Sequence, residues 1–155
     1  MHICQILDIF KGLLTPVIAI VTTYIAWQQW KINQQKLDFE KYNRRLRIYE
    51  KVKEILDIVM RNGKVSGEDL LKYRESVSEA DFLFDSEIID YINEIYNRGL
   101  NLRKLNLKYK DYTERHIKDY DYEKLVDEMD KELKWFLKQS EIAKEKFKNY
   151  LYFGN

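Results

Sequence analysis

The sequence holds one cysteine, one proline, five glycines and two histidines among 155 residues. A lone cysteine, Cys4, cannot close an internal disulfide, so the chain is not a small secreted domain held by staples. With His2, His116 and that one thiol, no Cys/His set has zinc spacing, and no Glu-x-x-His pair is present to build a di-iron site in a bundle. No metal or other cofactor is expected. The glycines at 12, 63, 67, 99 and 154 fit neither a Walker-type nor a dinucleotide-type loop, which excludes the common nucleotide hydrolases. So little proline and glycine also excludes linker-rich, collagen-like and low-complexity architectures. A net charge of +1 gives no bulk electrostatic pull on nucleic acid, and no nucleic-acid partner is expected.

What the sequence has is aromatic and aliphatic bulk. Twelve Tyr, seven Phe and three Trp, within 45% hydrophobic and 34% charged content, exclude a disordered polyampholyte, because that much aromatic surface can form a core. One long uncharged run stands out, GLLTPVIAIVTTYIAWQQW, 19 residues from Gly12 to Trp30. Its aliphatic positions include Leu13, Leu14, Val17, Ile18, Ile20, Val21 and Ile25. As a helix it would be roughly 28 Å long, close to the thickness of a bilayer's hydrocarbon core. Trp27 and Trp30 sit at one end, where amphipathic rings meet headgroups, and Lys31 follows to reach the phosphates. A cleaved signal peptide would need small residues around Ala26, where Tyr24 and Trp27 stand instead. The reading is an uncleaved transmembrane anchor, with residues 1–31 as tail and anchor and 32–155 as a separate helical bundle. The anchor makes membrane lipid its first partner.

The flanks orient it. Lys31, Lys36, Lys41, Arg44, Arg45 and Arg47 follow the run, whereas Lys11 beside Asp8 precedes it. The positive-inside rule places the bundle in the cytoplasm and the N-terminus outside.

Past the anchor, residues 32–60 contain neither Gly nor Pro and are rich in helix formers, so the membrane helix is expected to continue into one long helix. Phe39, Tyr42, Leu46, Tyr49 and Leu56 form one apolar stripe; Ile48, Val52, Ile55 and Val59 form a second beside it. Two stripes mean a wide buried face, as in a bundle. Gly63 suits a left-handed helix stop, and Ser66 with Asp69 reads as a capping box opening a helix that carries Leu70, Leu71, Tyr73 and Val77. Phe82, Leu83 and Phe84 form a turn expected to plug the bundle. Ile88, Ile89, Ile92, Ile95, Tyr96, Leu102 and Leu105 mark the next helix, in which Gly99 signals a close crossing or a weak spot. The pattern loosens over residues 106–121. Asp121 then caps a last helix with Leu125, Met129, Leu133, Phe136, Leu137, Ile142, Ala143, Phe147 and Leu151. The expected fold is all-α: one N-terminal transmembrane helix continuing into a long helix, packed in a bundle of about four helices.

Charge falls into blocks of alternating sign. Residues 31–64 carry 10 basic and 5 acidic groups, 66–95 carry 2 and 9, 96–118 carry 7 and 2, and 119–134 carry 3 and 7. Helices of opposite sign would set their own register, and self-complementary structure is the plainer reading of the blocks. Nucleophilic catalysis would have to use His116, whose neighbours Glu114, Arg115 and Lys118 read as an exposed face. Arg115 and His116 are adjacent and so point about 100° apart, which does not fit an RNA-cleaving pair. The expectation is a non-enzyme. Lys31, Lys36, Arg44, Arg45 and Arg47, interleaved with Tyr42 and Tyr49, form the one cluster able to contact lipid headgroups or another anion.

The runs AIVTTYIAWQQWKINQQKLDFEKYNRRLRIYEKVKEIL and EADFLFDSEIIDYINEI, residues 19–56 and 79–95, resemble small bacterial membrane proteins with one N-terminal transmembrane helix and a cytoplasmic helical bundle. The shared elements are the step from Trp27 to Trp30, Lys36-Leu37, Arg44, Arg45, Tyr49 and the turn Phe82 to Phe84. The resemblance implies an inner-membrane, single-pass protein. Two functions are weighed. The first is a non-enzymatic membrane protein whose bundle forms a homo-oligomer or binds a protein partner. The alternative, suggested by relatives that look like products of defence-related loci, is an anti-phage membrane effector. A small molecule such as a nucleotide would bind at Arg44, Arg45 and Arg47 and gate it, with Thr15, Thr22 and Thr23 helping anchors associate.

Overall fold

A computed structural model describes the backbone of residues 2–115 and 121–152, and the side chains of Leu14 and of residues 16–114 and 121–152. The chain is all-α, with α1 (His2–Asn62), α2 (Gly67–Ser76), α3 (Ala80–Leu83), α4 (Ser86–Arg115) and α5 (Tyr122–Lys148). It divides into two compact units, Met1–Lys41 and Tyr42–Asn155.

The first unit is helix alone. Its described side chains are exposed apart from the half-buried Gln28. Phe39, expected on a buried stripe, is 56% exposed. Among the described residues no helix is long and apolar enough to cross a membrane.

The second unit packs residues 42–62 of α1 with α2, α4 and α5. Of the two stripes read from α1, Ile48, Val52, Ile55 and Val59 are in the core together with Leu56, while Tyr49 is partly buried against it. Gly63 ends α1 at φ 62°, its N–H donating to the Val59 carbonyl at 2.8 Å. That left-handed cap is what glycine permits without a Cβ penalty. Three residues on, Ser66 Oγ accepts from the Asp69 N–H at 3.0 Å and Asp69 Oδ2 accepts from the Ser66 N–H at 3.0 Å, a complete capping box at the start of α2.

Helix α2 runs against α4. Tyr73 Oη donates to the Ile92 carbonyl at 3.2 Å, and a Cβ added at Gly99 would stand 2.6 Å from Leu70 Cδ2. Of the two readings of Gly99, the close crossing is the one seen. Leu71, expected inside, is 57% exposed on the far face of α2.

The turn after α2 departs from expectation. Residues 80–83 form the short helix α3, which turns Ala80 and Phe84 into the core, leaves Leu83 partly buried and points Phe82 outward at 87% exposure. Residues four apart share a face of a helical turn; Phe82 lies between them on the opposite side.

Helices α4 and α5 are antiparallel. Glu87 Oε1 meets Lys146 Nζ at 2.5 Å, the Tyr91 hydroxyl donates to the Gln139 carbonyl at 3.3 Å, and Tyr112 stacks on Tyr122 at 5.0 Å between centroids. Those tyrosines also explain the loosened stretch: α4 continues to Arg115 because Tyr109 and Tyr112 carry its inner face where aliphatics run out. On α5 the buried line is Leu125, Phe136, Gln139, Ala143 and Phe147. Leu137 and Ile142, expected inside, are exposed, and Gln139 takes a core position with its Nε2 donating to the Trp135 carbonyl at 3.1 Å. A 3.6-residue period leads from 136 to 139 and 143, and leaves 137 and 142 on the flank.

Candidate functional site

The residues singled out from the sequence fall on two surfaces, one in each unit. In the first, Leu14, Val17, Ile18, Ile20, Val21, Ile25, Trp27 and Trp30 are each about half exposed or more. These positions cover about two thirds of the helix's circumference rather than lining one stripe, since successive residues lie about 100° apart. The Leu13 side chain lies outside the described residues. Thr22 Oγ1 donates to the Ile18 carbonyl at 2.9 Å and Thr23 Oγ1 to the Ala19 carbonyl at 2.8 Å, so both hydroxyls are satisfied within their own helix. Near the tryptophans, Gln28 Nε2 donates to Tyr24 Oη at 2.8 Å, and Lys31 Nζ lies 5.8 Å from the centroid of Trp27. Lys36 is exposed on the same unit.

The second surface holds the arginines. Arg44 and Arg47 line a groove of about 240 Å3 between α1 and the end of α2, with Lys51, Ser76, Glu75 and Glu79 on its other sides. Arg44 Nη1 stands 3.9 Å from Glu79 Oε2, with both side chains at least half exposed. Arg45 points elsewhere. Its Nε donates to the Leu83 carbonyl at 3.0 Å, and its guanidinium lies over Phe84 at 5.8 Å and over Tyr150 at 5.3 Å. Phe84 is in turn edge-on to Phe147 and Tyr150, both at 5.2 Å, and Tyr49 meets Phe147 at 5.3 Å. Sequence proximity had grouped three arginines that the helix separates: Arg45 is a structural member of an aromatic cluster, and Arg44 and Arg47 face carboxylates.

Beside that cluster the Tyr150 hydroxyl donates to Asp85. The hydrogen bond pushes the Tyr150 phenol up to about 12 and holds the Asp85 carboxyl below its ordinary value. Burial raises the phenols of Tyr73 and Tyr91 well above the usual range. Among the described residues, every buried side-chain nitrogen and oxygen has a hydrogen-bond partner, and no group of three or more His, Cys, Asp and Glu is placed to hold a metal. His116, and the side chains of His2, Cys4 and Thr15, lie outside the described residues. Gln139 and the Arg45 cluster were not foreseen from sequence. The one signal for the second was Arg45 lying a turn before Tyr49 on an aromatic-rich face.

No family model, curated protein or solved structure matches the chain.

Proposed function

We propose that the chain is a non-enzymatic, single-pass membrane protein whose cytoplasmic bundle self-associates or docks a protein partner. The observation that carries the reading is the apolar surface exposed over most of the circumference of α1 between Leu14 and Trp30. In water, apolar patches of this extent are rare on monomers; in a bilayer the same surface is solvated by lipid. The self-satisfied hydroxyls of Thr22 and Thr23 remove the main polar cost of that segment in hydrocarbon. The described part of the run is short of a full span by itself. The proposed anchor therefore takes in Gly12 together with Leu13 and Thr15, whose side chains lie outside the described residues. Trp27, Trp30 and Lys31 then sit at headgroup level, and the likeness to small bacterial single-pass proteins points the same way.

The gated-effector reading asks Arg44, Arg45 and Arg47 to receive an anion together. Arg45 is committed to the Leu83 carbonyl, and the other two share their groove with two glutamates, so the docking reading is adopted.

The test is an alkaline carbonate wash of membranes carrying the full chain or a version lacking residues 1–30, followed by native mass of the solubilised protein. The expected result is a full chain that resists the wash, a soluble shortened chain, and a mass that is a multiple of the monomer or that includes a bound partner. A full chain released by the wash overturns the anchor.

A further inference from the structure

The outer face of α4 carries three asparagines one helical turn apart, Asn93, Asn97 and Asn101, and all three are exposed. Asparagine is a poorer helix former than Lys, Glu or Ala, because its amide competes for backbone hydrogen bonds. Asn101 is tied to Glu132 of α5, but on a face that only meets water Asn93 and Asn97 weaken the helix with nothing gained in return. Exposed positions on the neighbouring helix show the usual alternative, the Lys134–Asp130 pair at 2.6 Å.

These asparagines lie along an open groove of about 570 Å3, whose remaining walls are Asp90, Glu94, Arg98 and, from α5, Glu132. The walls are tied together. Glu132 Oε1 accepts from Asn101 Nδ2 at 2.9 Å and its Oε2 from Arg98 Nη1 at 3.3 Å, while Arg98 Nε donates to Glu94 Oε1 at 2.9 Å. The Arg98 guanidinium also lies over Trp135, 4.4 Å from its centroid. Two carboxylates thus hold one fixed guanidinium, and Asp90 farther along leaves the groove net negative.

We propose that this groove docks an extended, lysine- or arginine-bearing peptide segment of a partner protein. The inference names the partner class for the bundle proposed above as a docking module, and does not depend on the anchor. A side-chain amide offers one donor group and one acceptor, the same pair that a peptide unit presents. Positions four apart on a helix rise about 6.0 Å, and alternate residues of an extended strand repeat about every 6.6 Å. Along the helix axis the three asparagines therefore keep step with alternate peptide units of one strand to about 1 Å, and the row winds about 40° around the helix at each step. Such backbone reading tolerates many sequences. The carboxylates supply the preference for basic side chains and repel phosphodiester backbones.

The experiment uses the full chain in uncharged detergent micelles, titrated into a fluorescent ten-residue peptide of alternating Lys and Ser, with alternating Glu and Ser as control, read by anisotropy. The expected result is saturable binding of the basic peptide alone. The triple variant N93A/N97A/N101A is expected to lose at least tenfold in affinity while melting close to the parent, since alanine's preference for the helix offsets the lost Asn101–Glu132 bond. That pairing separates lost recognition from lost fold. No saturable binding by the parent, equal binding of the acidic peptide, or unchanged affinity in the triple variant each overturns the proposal. So does a native mass that falls to the monomer in the triple variant, which would assign the groove to a second copy of this chain. Release of the full chain by the carbonate wash would overturn the anchor and leave these outcomes as they stand.

Discussion

Leu70 of α2 and Gly99 of α4 approach so closely that a Cβ on the glycine would stand 2.6 Å from the leucine's Cδ2 methyl. Alanine at 99 would gain roughly 1 kcal/mol of helix propensity. Against that, the Leu70 side chain, only 2% exposed, would have to move within a packed core, at a cost of about 1–3 kcal/mol. Gly99→Ala is therefore expected to destabilise the bundle by about 1 kcal/mol in urea melts. In a Leu70→Val background the same change is expected to be neutral or stabilising. Equal penalties in both backgrounds would show that the two residues do not meet.

Arg45 and Arg44 are neighbours with different fates. Replacing Arg45 by Ala removes the donor to Leu83 and the cation over Phe84 and Tyr150, with an expected loss of about 1–2 kcal/mol. Arg44→Ala removes a 3.9 Å exposed pair and is expected to cost less than about 0.5 kcal/mol. Denaturant midpoints of the two variants check the order, and a larger loss at Arg44 would reverse the assignment.

Tyr150 ties the end of α5 to Asp85, and its phenol is raised to about 12. A group whose folded pKa lies above its unfolded value, here 10.0, stabilises below the latter and loses that contribution as pH rises through the folded value. Tyr150→Phe should melt below the parent near neutral pH, and the gap should close between about pH 10 and 12. Buried Tyr73 and Tyr91 add alkaline sensitivity to both proteins, so only the difference between them reports Tyr150.

At the other end of the scale, the hydrogen bonds with Ser66 hold Asp69 below its ordinary 3.8. A depressed carboxyl stabilises above its unfolded pKa and loses that contribution as pH falls through the folded one. Asp69→Asn is expected to cost about 0.5–1 kcal/mol at pH 7, with the difference from the parent shrinking below about pH 4. Urea midpoints across that range provide the check, and a gap that widens on acidification would contradict the capping box.

The helices and their caps were readable because each rests on local chemistry. Gly63, Ser66 with Asp69, and Asp121 act within one turn of themselves, and the three- to four-residue spacing of Ile48, Val52, Ile55 and Val59 survives any tertiary arrangement. What stayed hidden is set by distant partners. Phe82 and Phe84 look alike in sequence, and only the short helix α3 sends one outward and the other against Phe147. Gln139 reads as a surface residue until Tyr91 and Trp135 show how its position is satisfied. Arg45 reads as one of a basic cluster until Leu83 claims it. The candidate site was legible only as a set of residue types, because three arginines in four positions necessarily point in different directions from a helix.

The contact between Tyr49 and Phe147 joins the early and late ends of the second unit. During synthesis Tyr49 and Phe84 emerge long before Phe147, and the rings that close the aromatic cluster arrive last. Until α5 is made, a nascent chain shows Tyr49 and Phe84 to its surroundings without the ring they pack against. Products truncated before Phe147 should therefore be recognised by chaperones and proteases as unfinished.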